Sequence, residues 1–128
     1  MATLRVLIVD DEPEIREVVC EYLEGLGHHV DAAGSGKQAI EAVAMTLLPY
    51  DAAIVDWTMP GISGRDVVLE LQRKTPATSI FVATGKTDLN AVAAGGAGPV
   101  SVIRKPFSLR DLARALHAVP VSDVKRME

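Results

Sequence analysis

Two aspartates, Asp10 and Asp11, end the apolar run Leu4-Arg5-Val6-Leu7-Ile8-Val9, and a third, Asp56, ends a second run, Ala52-Ala53-Ile54-Val55. Thr84 follows a third run and Arg104-Lys105 a fourth. If these runs are parallel strands of one sheet, their carboxyl ends share one edge, which is where open α/β sheets bind ligands. Three carboxylates in one crevice repel one another, and the usual remedy is a cation. Oxygen ligands with no His or Cys group beside them suit a hard ion. An incomplete carboxylate set, leaving room for waters and phosphate oxygens, suits Mg2+ better than Ca2+ and disfavours zinc. With the repulsion shielded, one carboxylate can attack a phosphoryl group and form an aspartyl phosphate. Such a transfer depends on positioning and on neutralising charge over the equatorial oxygens. Lys105 and Thr84 carry an ammonium and a hydroxyl suited to that task.

The elements that must position these groups are legible as alternating runs. Candidate strands are Arg5 to Val9, His29 to Ala33, Ala52 to Val55, Ser79 to Ala83 and Val100 to Ile103. At least three are continuously apolar, as strands covered on both faces are. Pro13 to Leu26 places Ile15, Val18, Val19, Tyr22, Leu23 and Leu26 at spacings of three and four, with Arg16, Glu17, Glu21 and Glu24 on the other side, which predicts an amphipathic helix ended by Gly27. Lys37 to Leu47, Gly64 to Arg73 and Leu109 to Val119 repeat the pattern, the last opened by Ser108 as N-cap. The connection from Thr87 to Pro99 is glycine-rich, so any helix there is expected to be short and frayed. Strand-then-helix units with right-handed crossovers make an open, doubly wound parallel α/β sheet with helices on both faces.

Composition limits the alternatives. With 128 residues, 48% of them hydrophobic, the chain suits one core and hence one domain over 1–128, with its core at about residues 4–119 and a short tail over 120–128. The net charge is −4 and the 13 Lys and Arg are scattered, which argues against direct nucleic-acid binding. One cysteine, Cys20, allows no internal disulfide and suits a reducing compartment. It falls on the polar side of the first helix, where a partly exposed but inert thiol is expected. The early start of the first apolar run leaves no signal peptide, and no run approaches a membrane span, so a cytoplasmic location and no membrane partner are expected. His28, His29 and His117 have no metal-ligand partners in sequence and receive no catalytic part.

Val6-Leu7-Ile8-Val9-Asp10-Asp11-Glu12, Ile54-Val55-Asp56-Trp57-Thr58-Met59-Pro60-Gly61, Val82-Ala83-Thr84-Gly85 and Lys105-Pro106-Phe107 together resemble the response-regulator receiver domain of two-component signalling, over about Leu4 to Val119. The resemblance implies a flavodoxin-like, five-stranded sheet of order 2-1-3-4-5. It implies Asp56 as phosphoryl acceptor, with Mg2+ held by Asp10, Asp11, Asp56 and the backbone carbonyl of Thr58, and Asp10 acting largely through water. Lys105 would pair with Asp56 and then with the phosphoryl oxygens, and Thr84 would hydrogen-bond the phosphoryl group. The Lys105-Pro106 bond is cis in similar domains. The phosphoryl group would come from a phosphohistidine on a histidine kinase or histidine phosphotransfer protein, and the output would be a changed surface for a protein target. By the same resemblance the domain assists its own phosphorylation and dephosphorylation without being a turnover enzyme.

Three other readings compete. Asp11-Glu12-Pro13-Glu14 is also a good helix start, with Asp11 as N-cap and Glu14 completing a capping box. A Mg2+-dependent phosphatase of the haloacid dehalogenase type also uses an aspartyl phosphate, but wants Asp-x-Asp where this chain has Asp10-Asp11-Glu12. A pseudo-receiver would bind partners without phosphorylation. The chain also departs from the family it resembles. Val102 stands where an aromatic ring usually couples to the threonine, Gly85 leaves the site more open, and the glycines of 86–99 suggest that activation changes order there. Nine residues follow Val119, too few for an output domain, so either a stand-alone regulator or a piece of a larger one is expected.

Overall fold

The computed structural model describes residues 3–85 and 100–120. The glycine-rich connection, and the expected change of order within 86–99, lie outside the described residues. Five strands, β1 (Arg5–Val9), β2 (His29–Ala33), β3 (Ala52–Asp56), β4 (Ser79–Thr84) and β5 (Ser101–Arg104), form one sheet in the order β2-β1-β3-β4-β5. Every pairing is parallel. Four helices are described: α1 (Pro13–Gly25), α2 (Gly36–Met45), α3 (Gly64–Lys74) and α4 (Leu109–His117). This is the doubly wound order expected from the sequence.

Side chains alternate across a strand, so each central strand feeds two cores. Leu7, Val9, Ala53, Val55 and Val82 face α2 and α3, where Ala39, Val43, Val67, Val68 and Leu71 meet them. Val6, Ile8, Ala52, Ile54 and Phe81 face the other way, against Val19 and Leu23 of α1 and Leu112 and Leu116 of α4. Burying a side chain such as Leu7 on one face or Leu23 on the other contributes about 1.5–3 kcal/mol. These layers fix the strands, and the strands fix the edge where the acidic residues stand.

Several boundaries move, with consequences for the site. β3 and β4 run one residue further than their apolar runs, because Asp56 is in register with Ala83 and Thr84 with Arg104. Asp56 and Thr84 are therefore the last residues of strands, held by the ladder, instead of the first residues of loops. β5 begins at Ser101 and ends at Arg104. α1 ends at Gly25, and Gly27 takes a positive φ of 97° just beyond it. α2 ends before Leu47, since Thr46 turns extended; Leu47, expected on the apolar face of that helix, is 99% exposed. Ile15 and Val18 share the apolar period of α1, yet Val19 and Leu23 fill the core and leave them 39% and 51% exposed. Cys20 is half-buried and packs against the α1–α4 core, where burial raises its thiol pKa first and Glu24 adds to the rise. His28 is buried and structural: its Nδ1 accepts the Leu4 N–H at 3.1 Å.

Candidate functional site

Asp10 follows β1 directly and is buried, and each of its four polar groups has a partner. Its N–H donates to the Ala33 carbonyl at 3.1 Å, tying it to the end of β2. Its carbonyl accepts from Nη1 of Arg16 at 2.8 Å. Its Oδ1 accepts the Glu12 N–H at 2.9 Å, and its Oδ2 lies 3.6 Å from Nζ of Lys105. This arrangement sets aside the competing capping reading of Asp11. Glu12 is the N-cap of α1 without a side-chain cap bond, and the Asp10 carboxylate takes the Glu12 N–H that leads into the helix. Pro13, the first helical residue, has no N–H to cap. Asp11 is thus left exposed, and among the described residues its carboxylate makes no hydrogen bond or ion pair.

Asp56, at the end of β3, is buried. Its Oδ1 accepts the Thr58 N–H at 3.1 Å, and its Oδ2 pairs with Nζ of Lys105 at 3.2 Å. One carboxylate oxygen from each of Asp10, Asp11 and Asp56 lies within 4.8 Å of the others. Thr58 is exposed on the loop two residues beyond Asp56. Thr84 is buried at the end of β4, with its hydroxyl in a long 3.4 Å contact to the Gly85 carbonyl. The Lys105 N–H donates to the Thr84 carbonyl at 2.8 Å, which sets the lysine beside the threonine, and the Lys105-Pro106 bond is cis. Among the described residues a Cβ at Gly85 would meet nothing within 4 Å. The structure therefore brings Asp10, Asp11, Asp56, Thr84 and Lys105 to one sheet edge, with Thr58 alongside.

The electrostatics are those of a crevice short of positive charge. Burial pushes the Asp56 carboxyl above the usual carboxylate range, and Asp10 pushes the same way; Lys105 and the Thr58 N–H pull it down without overcoming burial. Burial alone would lower Lys105, but Asp10 and then Asp56 outweigh it and hold the ammonium above the ordinary lysine value. Among the described residues Asp10 and Asp56 share this one ammonium, and Asp11, in the same cluster, pairs with none. The donor set, all oxygen and partly exposed, fits a hard divalent cation and its waters.

A groove of about 520 Å³ opens from the same crevice. It is lined by Glu12, Ile15, Val18, Lys105, Pro106 and Phe107, so the exposed apolar residues of α1 border the site directly. Arg16, on the polar side of α1, joins the site through the Asp10 carbonyl. No spacing rule marks it, because its partner is a backbone carbonyl.

The sequence profile of the response regulator receiver domain matches residues 6–117. The chain is 34% identical over 119 residues to the transcriptional regulatory protein TcrA of Mycobacterium tuberculosis, covering 91% of this chain and 46% of that protein. It is 36% identical over 117 residues to the transcriptional regulatory protein ResD of Bacillus subtilis, covering 90% and 47%. The chain thus spans about half the length of these curated relatives. Among solved structures, the Vibrio cholerae chemotaxis protein CheY4 superposes with a TM-score of 0.82 at 28% identity, covering 93% of this chain and 100% of that one. A response regulator receiver domain protein from Clostridium thermocellum gives 0.80 at 31% identity, covering 89% and 91%. With its sheet order, its acidic edge and a profile match over most of its length, the chain belongs to the response regulator receiver domain family.

Proposed function

We propose that this chain is a phosphoacceptor: Asp56 takes a phosphoryl group from a phosphohistidine and the domain signals through a changed protein-protein surface. The observation that carries the reading is the Asp56 carboxylate, 3.2 Å from the Lys105 ammonium in a crevice of three carboxylates. Receiver domains as a family are signalling modules phosphorylated by histidine kinases, and they bind Mg2+ at an acidic pocket. Here Asp10, Asp11, Asp56 and the Thr58 carbonyl would hold the ion. Bound Mg2+ supplies charge neutralisation to the transferring oxygens.

The residues divide the work. A carboxylate oxygen of Asp56 attacks phosphorus, the bond from phosphorus to the donor imidazole nitrogen breaks, and that nitrogen keeps the electron pair. Lys105, already cationic beside Asp56, moves its attraction from the carboxylate to the equatorial oxygens. The Thr84 hydroxyl, weakly held at 3.4 Å, turns to donate to one of those oxygens. The donor, a histidine kinase or histidine phosphotransfer protein, rests its apolar surface on Ile15, Val18 and Phe107, next to the reacting atoms.

A small radiolabelled phosphodonor with Mg2+ tests the reading. Stoichiometric labelling is expected for the wild type and none for Asp56→Asn, with a change in Trp57 fluorescence in the wild type alone. Equal labelling of the variant would assign the acceptor elsewhere, and sustained turnover of phosphate monoesters would favour the phosphatase reading instead.

A further inference from the structure

Asp11 is the weak point of the acidic site. Asp10 is fixed at four polar groups, whereas Asp11 is exposed and its carboxylate has no partner among the described residues. What orients Asp11 must therefore be its backbone. The peptide joining Asp10 to Asp11 is planar, so the direction of the Asp10 carbonyl determines where the nitrogen and Cα of Asp11 lie. That carbonyl accepts one described hydrogen bond, from Nη1 of Arg16 at 2.8 Å.

The guanidinium reaches the carbonyl by lying across Gly34, the residue that follows β2. A Cβ at Gly34 would stand 2.9 Å from Nη1 and 3.2 Å from Cζ of Arg16, closer than those groups tolerate. The Gly34 N–H is in turn held by Oε1 of Gln38 at 2.8 Å, and the Ala33 carbonyl by the Asp10 N–H. The turn after β2 and the Arg16 side chain thus grip the Asp10-Asp11 segment from both ends of one residue. From these contacts we infer that Arg16 is a positioning residue for the cation site, aiming Asp11 through the Asp10 carbonyl, and that Gly34 is glycine to admit its guanidinium. The inference rests on the reading of Asp10 and Asp11 as metal ligands. Outer groups that orient metal ligands are worth roughly ten-fold to a hundred-fold in metal affinity when removed.

Mg2+ titrations followed by Trp57 fluorescence, paired with thermal melts in EDTA, test it. Arg16→Gln is expected to weaken Mg2+ binding roughly ten-fold. Gly34→Ala is expected to do the same with little change in melting, because the clash falls on the far end of a flexible side chain and not on backbone. Arg16→Lys keeps the charge but not the planar fork, and should restore only part of the affinity. The double variant Arg16→Gln/Gly34→Ala should bind no more weakly than the weaker single variant, since both changes break one hydrogen bond. Wild-type affinity in Gly34→Ala and Arg16→Lys overturns the inference, whether or not Arg16→Gln folds, and so do effects that multiply in the double variant. A wild-type protein without a Mg2+ response, or an Asp11→Ala variant that keeps it, overturns the metal reading itself and the inference with it.

Discussion

Gly64, the first residue of α3, packs against the backbone of Asp56 and Trp57: a Cβ at position 64 would lie 2.7 Å from the Trp57 Cα and closer still to the Asp56 carbonyl oxygen. The strand that ends at Asp56 and the helix that follows its loop therefore touch where only glycine fits.

Gly64→Ala consequently forces backbone against backbone. We expect a loss of about 1–3 kcal/mol, as for other overpacked contacts, measured by urea denaturation. The displaced end of β3 should also accept phosphate more slowly. Wild-type stability in this variant would mean that the loop yields freely and does not position Asp56.

Asp56 gives the metal-free protein a defined pH response. Its folded carboxyl titrates above the ordinary carboxylate range, first because it is buried. The folded state therefore binds that proton more tightly than the unfolded chain, and the associated stability is present at acid pH and lost as pH rises through the folded value. At pH 7 in EDTA, Asp56→Asn should melt above the wild type, and the gap should close as pH falls below about 4, the unfolded carboxylate value. Lys105, also raised, contributes stability that persists below its unfolded value and disappears only in strong alkali. A calorimetric pH series on both proteins checks this, and a variant melting below the wild type at pH 7 would contradict it.

Thr84 separates chemistry from stability. Its side chain is buried, yet among the described residues its hydroxyl makes only a 3.4 Å contact to the Gly85 carbonyl. Thr84→Val keeps the shape and removes the hydroxyl, so stability should change by less than about 1 kcal/mol. Phosphoryl transfer from a small donor should slow on the order of a hundred-fold, as when one preorganised donor is deleted. Unaltered transfer would leave Thr84 as a strand-end residue and no more.

Ser108 tests the reverse separation. It caps α4 through a full capping box, its hydroxyl accepting the Asp111 N–H at 3.0 Å while the Asp111 carboxylate accepts the Ser108 N–H at 3.3 Å. Ser108→Ala should cost about 1 kcal/mol and leave the Mg2+ response of Trp57 intact, since the cap shares no atom with the acidic edge. A weakened Mg2+ response in a folded variant would show that α4 governs the crevice.

Most of this architecture was legible because apolar period and strand-end chemistry agree. The runs around Val6 to Val9 and Ala52 to Val55 are apolar on both faces, which marks central parallel strands and so places Asp10, Asp11 and Asp56 on one edge. Ser108 was legible as a cap because its partner is local. What escaped the sequence were relationships that neither periodicity nor a motif encodes. The competing reading of Asp11 as N-cap of α1 fails because the Asp10 carboxylate takes the Glu12 N–H, and Glu12 itself is the N-cap. Ile15 and Val18 share the helical period of Val19 and Leu23, and periodicity does not tell which part of an apolar face the core has room for. Arg16 reaches a carbonyl, and backbone acceptors leave no trace in a motif. Val102, where the family usually has a ring, is 42% exposed on β5.

The difference between Asp10 and Asp11 also bears on ion exchange. Asp10 has surrendered its conformational freedom during folding, whereas Asp11 still has its rotamers to lose, a cost of a fraction of a kcal/mol to about 1 kcal/mol for a short side chain. The edge thus offers one rigid arm and one hinged arm. With the proposed ion at this edge, its entry and release would need the swing of a single carboxylate, while the sheet, Asp56 and its lysine pair stay where they are.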